Sequence, residues 1–204
     1  MESASSEWQG GGSVPMPTAL KILVAGGFGV GKTTMISSVS EVTPLETDEY
    51  MTQASLGVDD LAGTPDKSTT TVAMDFGRIT LDLEHVLYMF GTPGQERFWF
   101  MWDDLALGSL GAVVLADPRR LTDSFASVDF FEQRRIPFAV GVNCFYGQCD
   151  FSVDEVQTAM NLRSPAPVIM CDVRHRNSSK QVLLALLESA RAQAARRLAY
   201  TPGY

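Results

Sequence analysis

The stretch that decides the fold is GGFGVGKTT, residues 26–34, which directly follows the apolar run LKILVA at residues 20–25. It matches G-x-x-x-x-G-K-[ST], the phosphate-binding P-loop, with the strand before it and the helix after it that this motif requires. Glycines allow the backbone to fold so tightly that successive N–H groups converge on a phosphate. The following helix directs its positive dipole end toward the same anion. The stretch therefore predicts a nucleotide phosphate site.

Two side chains of this loop would act directly on a bound nucleotide. Lys32 brings a point charge to the β- and γ-phosphates and is also a candidate catalytic residue. The Thr33 hydroxyl is a suitable ligand for Mg²⁺. The other predicted phosphate-binding residues of the loop are Gly26, Gly29, Val30, Gly31 and Thr34.

Composition limits the class of protein. The 204 residues fit one domain, and a hydrophobic content of 45% is enough for a core. The formal net charge of −8 argues against nucleic acid as a partner, because phosphate backbones are bound through a basic face. Cys144, Cys149 and Cys171 have no metal-binding spacing, and their odd number indicates reduced thiols.

The chain shows no features of a membrane-inserted or exported protein. No apolar run reaches the ~18 residues that a spanning helix needs, and the first residues do not resemble a signal peptide. We therefore expect a cytoplasmic protein without direct membrane insertion, which contacts membranes only through partners.

The order of elements predicts the fold class. Apolar runs at 111–116, 137–142 and 167–170 are typical of buried parallel strands, and 71–81 with 85–90 predict an antiparallel hairpin. Helices are expected at 33–42, 96–107, 124–135, 153–160 and 179–199. This alternation predicts an α/β fold with a mostly parallel six-stranded sheet and one antiparallel edge hairpin.

The domain boundaries follow from composition. Residues 1–17 are rich in Ser and Gly and predict a flexible tail before a domain at 18–199, with 200–204 as a short C-terminal tail. The polar segment 43–68 predicts a long loop, and such a loop inside a domain is usually functional or disordered.

From Lys67 to Phe98 the chain resembles the switch regions of small Ras-like GTPases. The most specific stretches are TTVAMDFG at 70–77 and GTPGQERF at 91–98. They are most similar to the bacterial MglA-type motility and polarity GTPases, and closest to the GTP-binding proteins of actinobacterial conservon clusters. Over residues 18–199 this resemblance implies a Ras-like three-layer sandwich that binds GTP or GDP with Mg²⁺ and hydrolyses GTP slowly.

The resemblance assigns three roles near the γ-phosphate. Thr71 corresponds to the switch I threonine that ligates Mg²⁺, with the neighbouring Thr70 as an alternative. Gly94 corresponds to the glycine whose N–H contacts the γ-phosphate, and Gln95 to the catalytic residue that orients the attacking water.

Three further positions near the phosphates differ from the general G-protein pattern or have two interpretations. Gly91 stands where most G proteins have an aspartate that holds a metal-bound water; the MglA type also tends to lack it. Phe28 replaces the glycine that leaves room for an arginine finger, so its ring either obstructs a finger or points away from the nucleotide. Arg97 is either an internal cation for the transition state or a surface arginine.

The base end departs furthest from the G-protein pattern N-K-x-D. Asn143 matches, but Cys144 and Tyr146 replace the lysine and the aspartate. The aspartate accepts two hydrogen bonds from guanine, at about 1.5–3 kcal/mol each. Their loss would weaken guanine preference roughly hundreds-fold or more. Asp150 is either a substitute or an ordinary loop acid.

The loop at 172–174 aligns with the S-A-K element of G proteins. In that element a backbone N–H reads the guanine oxygen, and we expect the backbone of Asp172 and Val173 to do so here. Guanine specificity is therefore implied by the resemblance and partly opposed by the sequence. The alternatives are a nucleotide-binding scaffold with relaxed base specificity, ATP included, and an ATP-using P-loop protein.

The run FWFMW at 98–102 predicts an interaction surface. Five large apolar residues in a row cannot all face the core from a surface helix. The resemblance implies a Roadblock-domain regulator or effector as the partner, with a membrane sensor kinase-like protein in the same system. A helix buried on most sides is the alternative.

Overall fold

The structure is a computed structural model that describes residues 16–43, 74–94 and 96–199. Within these ranges the strands are β1 Thr18–Gly26, β2 Phe76–Thr80, β3 His85–Gly91, β4 Gly111–Ala116, β5 Phe138–Asn143 and β6 Val168–Cys171. The helices are α1 Lys32–Val39, α2 Trp102–Ala106, α3 Phe125–Arg134, α4 Val153–Met160 and α5 Arg176–Ala199. Short 3-10 helices cover Glu96–Met101, Leu121–Ser124 and Phe145–Gly147.

The strands form one six-stranded sheet in the order β2-β3-β1-β4-β5-β6. The β2–β3 pair is antiparallel and every other pair is parallel, which confirms the predicted sheet and its edge hairpin. The parallel strands all end at the same edge of the sheet. This edge collects Gly26, Gly91, Ala116, Asn143 and Cys171.

Helices cover both faces of the sheet, as the three-layer prediction required. The central strand β1 is buried on both sides, so its apolar residues run without interruption. Ile22 and Val24 pack in one core, with residues of α1 and α5. Leu23 and Ala25 pack in a second core on the opposite face, with residues of α2, α3 and α4.

Three predicted helix boundaries differ from the structure by three residues or more, and one of them is the start of α5, at Arg176 and not at residue 179. Helix α1 ends at Val39 and not at residue 42. The Ser40 hydroxyl accepts the N–H groups of Arg78 and Val42, at 3.2 and 3.3 Å, so it ends the helix and ties it to β2. The segment predicted as one helix at 96–107 begins as the 3-10 helix Glu96–Met101 and becomes α-helical only at Trp102.

The hairpin turn has a side-chain cause. The Asp82 carboxylate accepts the Glu84 N–H at 2.8 Å and lies 2.9 Å from the His85 ring nitrogen. The strand predicted at 71–81 is observed from Phe76, and residues 71–73 lie outside the described ranges. None of the helices in the described ranges has the length and apolar content for a bilayer crossing.

Candidate nucleotide-binding site

The P-loop joins β1 to α1, and its glycines are required by geometry. Gly26, Gly29 and Gly31 have φ of 135°, 73° and 107°, a region that side chains disfavour. A Cβ at Gly26 would collide with the carbonyl oxygen of Leu115 on β4. A Cβ at Gly31 would lie 2.9 Å from the Asn143 amide nitrogen. The loop can therefore approach the ends of β4 and β5 only with glycine at positions 26 and 31.

Lys32 is held over the loop by backbone acceptors. Its Nζ donates to the carbonyl oxygens of Gly26 and Gly27 at 3.0 and 2.9 Å. Burial lowers the pKa of Lys32 to about 8, although the nearby Asp75 charge opposes this. A desolvated ammonium group gains more from an anion than an exposed one does, so this position suits a phosphate.

Gly94, the predicted switch II glycine, lies close to Lys32 and the P-loop. A Cβ at Gly94 would lie 2.8 Å from Lys32 Nζ and 3.2 Å from the backbone nitrogen of Phe28. The structure therefore brings Gly94 to the place where Lys32 would meet a terminal phosphate. Thr70, Thr71 and Gln95 lie outside the described residues. Phe28 is 67% exposed at the tip of the loop.

Asp75 is a site residue that the sequence analysis missed. The Thr33 hydroxyl donates to Asp75 Oδ2 at 2.8 Å. A Cβ at Gly91 would lie 2.9 Å from the same Oδ2, so the Asp75 carboxylate lies beside the strand position that lacks the usual aspartate. The hairpin register provides this contact, since Phe76 pairs with Phe90 and the next residues along are Asp75 and Gly91. The sequence could have indicated this, because the predicted hairpin places Asp75 opposite Gly91, the position where most G proteins have an aspartate.

These residues fit a magnesium ion that is bound together with a nucleotide. Mg²⁺ prefers oxygen ligands and keeps several waters, and the Thr33 hydroxyl and the Asp75 carboxylate offer such oxygens 2.8 Å apart. Among the described residues no group of three or more His, Cys, Asp or Glu side chains could hold a metal ion. Phosphate oxygens and waters would complete the coordination of an ion held there.

Asn143 ties three loops of the site together. It is only 2% exposed. Its Nδ2 donates to the Val30 carbonyl at 3.0 Å, and its Oδ1 accepts the Val173 N–H at 3.3 Å. The predicted residues Val30, Gly31, Asn143 and Val173 are thus neighbours. Thr34 lies in the first turn of α1, within the predicted P-loop.

The Asp172 carboxylate is occupied by an arginine of its own loop. Arg174 donates to both Asp172 oxygens, Nε at 2.9 Å and Nη2 at 2.6 Å. These bonds lower the pKa of Asp172 to about 2. Asp117, after β4, is held in the same way by Arg119 at 2.9 and 2.8 Å. The sequence analysis did not single out Asp117 or Arg119.

The backbone N–H groups of the same loop, which include the predicted base-reading groups of Asp172 and Val173, donate within the chain. The Asp172 N–H donates to the Ser178 hydroxyl at 2.9 Å, and the Arg174 N–H to Asp172 Oδ1 at 3.1 Å. The Val173 N–H donates to Asn143, as described above. At these three positions a guanine oxygen would therefore have to replace an existing acceptor.

The loop after β5 is closed by a disulfide between Cys144 and Cys149. The prediction of three reduced thiols is therefore wrong for these two. Their Cα atoms are 5.0 Å apart, within the usual range for a disulfide. Cys171 is a buried free thiol, and burial raises its pKa to about 12.

A comparison with protein families identifies the family of this chain. A family model described as "conserved hypothetical ATP binding protein" matches residues 24–193. The chain belongs to this family. The match begins inside β1 and covers the P-loop and every later strand, so it includes all the phosphate-site residues described above. Membership shows a nucleotide-binding P-loop protein and leaves the base open.

Similar individual proteins support the same fold. An uncharacterized protein of Methanocaldococcus jannaschii is 27% identical over 126 residues, which cover 61% of this chain and 69% of that protein. The FeoB G-domain from Methanococcus jannaschii superposes with a TM-score of 0.56 at 10% identity, covering 86% of this chain and 99% of that one.

The longer cytosolic domain of the T. maritima FeoB iron transporter, in its apo form, gives a TM-score of 0.58 at 14% identity. The match covers 85% of this chain, which spans only 64% of the length of that domain. At such identities the likeness shows the fold, a G-domain-like P-loop fold, and nothing finer. The MglA-type subgroup stays a prediction.

Proposed function

We propose that this protein is a nucleotide-dependent molecular switch that binds a nucleoside triphosphate with Mg²⁺ and hydrolyses it slowly, as MglA-type GTPases do. The observation that carries the proposal is the position of Gly94, where a Cβ would lie 2.8 Å from Lys32 Nζ and 3.2 Å from the backbone nitrogen of Phe28. This position supports the proposal, because a switch II glycine needs to lie beside the residue that holds the β- and γ-phosphates. A simple phosphate-binding loop has no need of this second segment.

Each residue of the site has a distinct task in this proposal. Lys32 and the P-loop N–H groups hold the phosphates, and the Gly94 N–H contacts the terminal one. Thr33 and Asp75 orient Mg²⁺ and its water, with Thr71 joining when the triphosphate is present. Gln95 orients the attacking water. Mg²⁺, when bound, supplies neutralisation of the phosphate charge.

The aromatic run supports a partner surface. Phe98 and Trp102 are buried, and Trp102 donates its ring N–H to the Pro93 carbonyl at 3.3 Å. Phe100 is 75% exposed and Trp99 38% exposed, directly after the predicted switch II. We propose this surface as the contact for a Roadblock-domain regulator or effector of a cytoplasmic switch, with a membrane sensor kinase-like protein in the same system. If a Roadblock-domain protein binds neither the diphosphate-bound nor the triphosphate-bound chain, the proposed partner is wrong.

Turnover by the Gln95→Leu variant tests the switch proposal. We expect the full chain with Mg²⁺ to hydrolyse GTP slowly, and Gln95→Leu to lower the single-turnover rate by about tenfold or more, because the water loses its orienting group. Nucleotide affinity should change less than about threefold, since Gln95 acts on water and not on binding. Phosphate release measured after rapid mixing gives both rates.

The alternative is a scaffold that binds nucleotide without turnover. The occupied hydrogen-bonding groups at 172–174 favour relaxed base specificity in either case. Tight binding with no phosphate release from the wild-type chain would favour the scaffold, and turnover that is unchanged in Gln95→Leu would contradict the role of Gln95.

A further inference from the structure

Two matching turns flank the loop after β5. Asp117-Pro118-Arg119 follows β4, and Asp172-Val173-Arg174 follows β6. In both turns the first aspartate oxygen accepts the N–H of the arginine two residues later, at 2.9 and 3.1 Å. In both turns the guanidinium also donates to the two carboxylate oxygens of that aspartate. Each arginine is therefore fixed by the aspartate of its own turn, in the loops that follow β4 and β6.

Each fixed guanidinium lies on an aromatic ring of the enclosed loop. Arg119 is 4.4 Å from the centre of the Phe145 ring, and Arg174 is 4.7 Å from that of Tyr146. Tyr146 is 79% exposed and has φ of 59° and ψ of 24°. This left-handed conformation is uncommon for a tyrosine, and the disulfide from Cys144 to Cys149 closes the loop that holds it.

The two aspartates of the flanking turns are not free to read guanine. Guanine presents N1–H and a 2-amino group as donors, so a guanine-specific site needs a carboxylate that is free to accept from them. The carboxylates of Asp117 and Asp172 both bind arginine. The N–H groups of residues 172–174 donate within the chain, so the guanine oxygen has no ready donor there either. This end of the site does present the exposed ring of Tyr146, with the guanidinium of Arg174 on it.

We propose that this site takes guanine, hypoxanthine and adenine nucleotides alike, holding them by their phosphates and by stacking of the base at Tyr146 and Arg174, without selecting guanine. Stacking is tolerant of base identity because every base has a π face, and a guanidinium stacks on such faces as well. The proposal rests on the proposed nucleotide site. It assigns Tyr146 as a binding residue for the base.

Diphosphates separate base choice from turnover, so the test titrates the full chain with GDP, IDP and ADP in the presence of Mg²⁺. Hypoxanthine, the base of IDP, lacks only the 2-amino group of guanine, so the comparison of GDP with IDP isolates the contact that this amino group makes with a carboxylate. We expect dissociation constants within about fivefold of one another. A preference for GDP of about fiftyfold or more over ADP or IDP would overturn the proposal while leaving the phosphate site intact. Failure to bind any of the three would refute the proposed function itself.

Variants at Tyr146 test the placement of the base. Tyr146→Ala should weaken all three nucleotides by a similar factor of about tenfold, and Tyr146→Phe, which keeps the ring, should bind as the wild type does. Tyr146→Asp should favour GDP over ADP, because it restores an acceptor. Equal effects of Tyr146→Asp on GDP and ADP, or no effect of Tyr146→Ala, would overturn the assignment. Loss of GDP preference in Asp150→Asn would show that Asp150 reads the base instead.

Discussion

Lys32→Ala is expected to weaken nucleotide binding by about hundredfold or more, the largest effect of any single substitution in this chain. Lys32 Nζ is held 3.0 and 2.9 Å from two P-loop carbonyls, so it meets the phosphates without a loss of side-chain freedom. Burial lowers its pKa to about 8, and a phosphate offsets the unfavourable burial of its charge. Alanine removes both the charge and these donors. Titration with a fluorescent nucleotide analogue measures the change.

Lys180→Ala is the matched control for this substitution. Lys180 is an exposed lysine on α5, away from the P-loop in sequence, and its removal changes the net charge by the same amount. It should bind nucleotide as the wild type does. If Lys32→Ala folds, as verified by circular dichroism, and binds nucleotide with unchanged affinity, the proposed phosphate site is wrong.

Asp75→Asn is expected to raise the Mg²⁺ concentration needed for nucleotide binding or turnover by about tenfold or more, since loss of an outer-shell metal contact costs roughly 10–100-fold in metal affinity. The reason is the position of its carboxylate, which accepts the Thr33 hydroxyl at 2.8 Å beside Gly91. Mg²⁺ titration at fixed nucleotide concentration gives the midpoint. An asparagine keeps the size of the side chain, so a folding defect is not expected.

Moving the carboxylate across the hairpin provides the control. Gly91→Asp alone should be harmful, because its Cβ would lie 2.9 Å from the Asp75 carboxylate. The double variant Asp75→Gly with Gly91→Asp removes that collision and puts an aspartate at the usual G-protein position. It should recover at least part of the Mg²⁺ affinity that Asp75→Asn loses. A midpoint in Asp75→Asn equal to that of the wild type would show that Asp75 has no part in metal binding.

The phosphate end could be predicted from the sequence because its determinants are local. The P-loop, its strand and its helix lie within residues 18–39, where glycine positions and an apolar run carry the geometry. The sequence also predicted the hairpin, from the polar turn at Asp82, and the parallel strands, from their uninterrupted apolar runs. The observed boundary of an element differs from the predicted one where a side chain binds the backbone, as the Ser40 hydroxyl does at the end of α1.

The missed features depend on contacts between segments that are distant in sequence. Asp75 acts through Thr33, which is 42 residues away, and only the strand register brings the two together. The two Asp–Arg turns are alike in sequence, but their relation to the loop after β5 appears only once β4, β5 and β6 are adjacent. The same adjacency fixes the Asn143 contacts, so the base end was the part least accessible to sequence motifs alone.

The most direct test of the account varies only the number of phosphates. Isothermal titration of the full chain with Mg²⁺ and a nucleoside mono-, di- or triphosphate compares one base throughout. The account predicts saturable binding of one diphosphate or triphosphate per chain, with the monophosphate weaker by about hundredfold or more, because Lys32 and the P-loop hold the β-phosphate. Equal affinity for all three nucleotides, or no saturable binding of the di- and triphosphates, would contradict it.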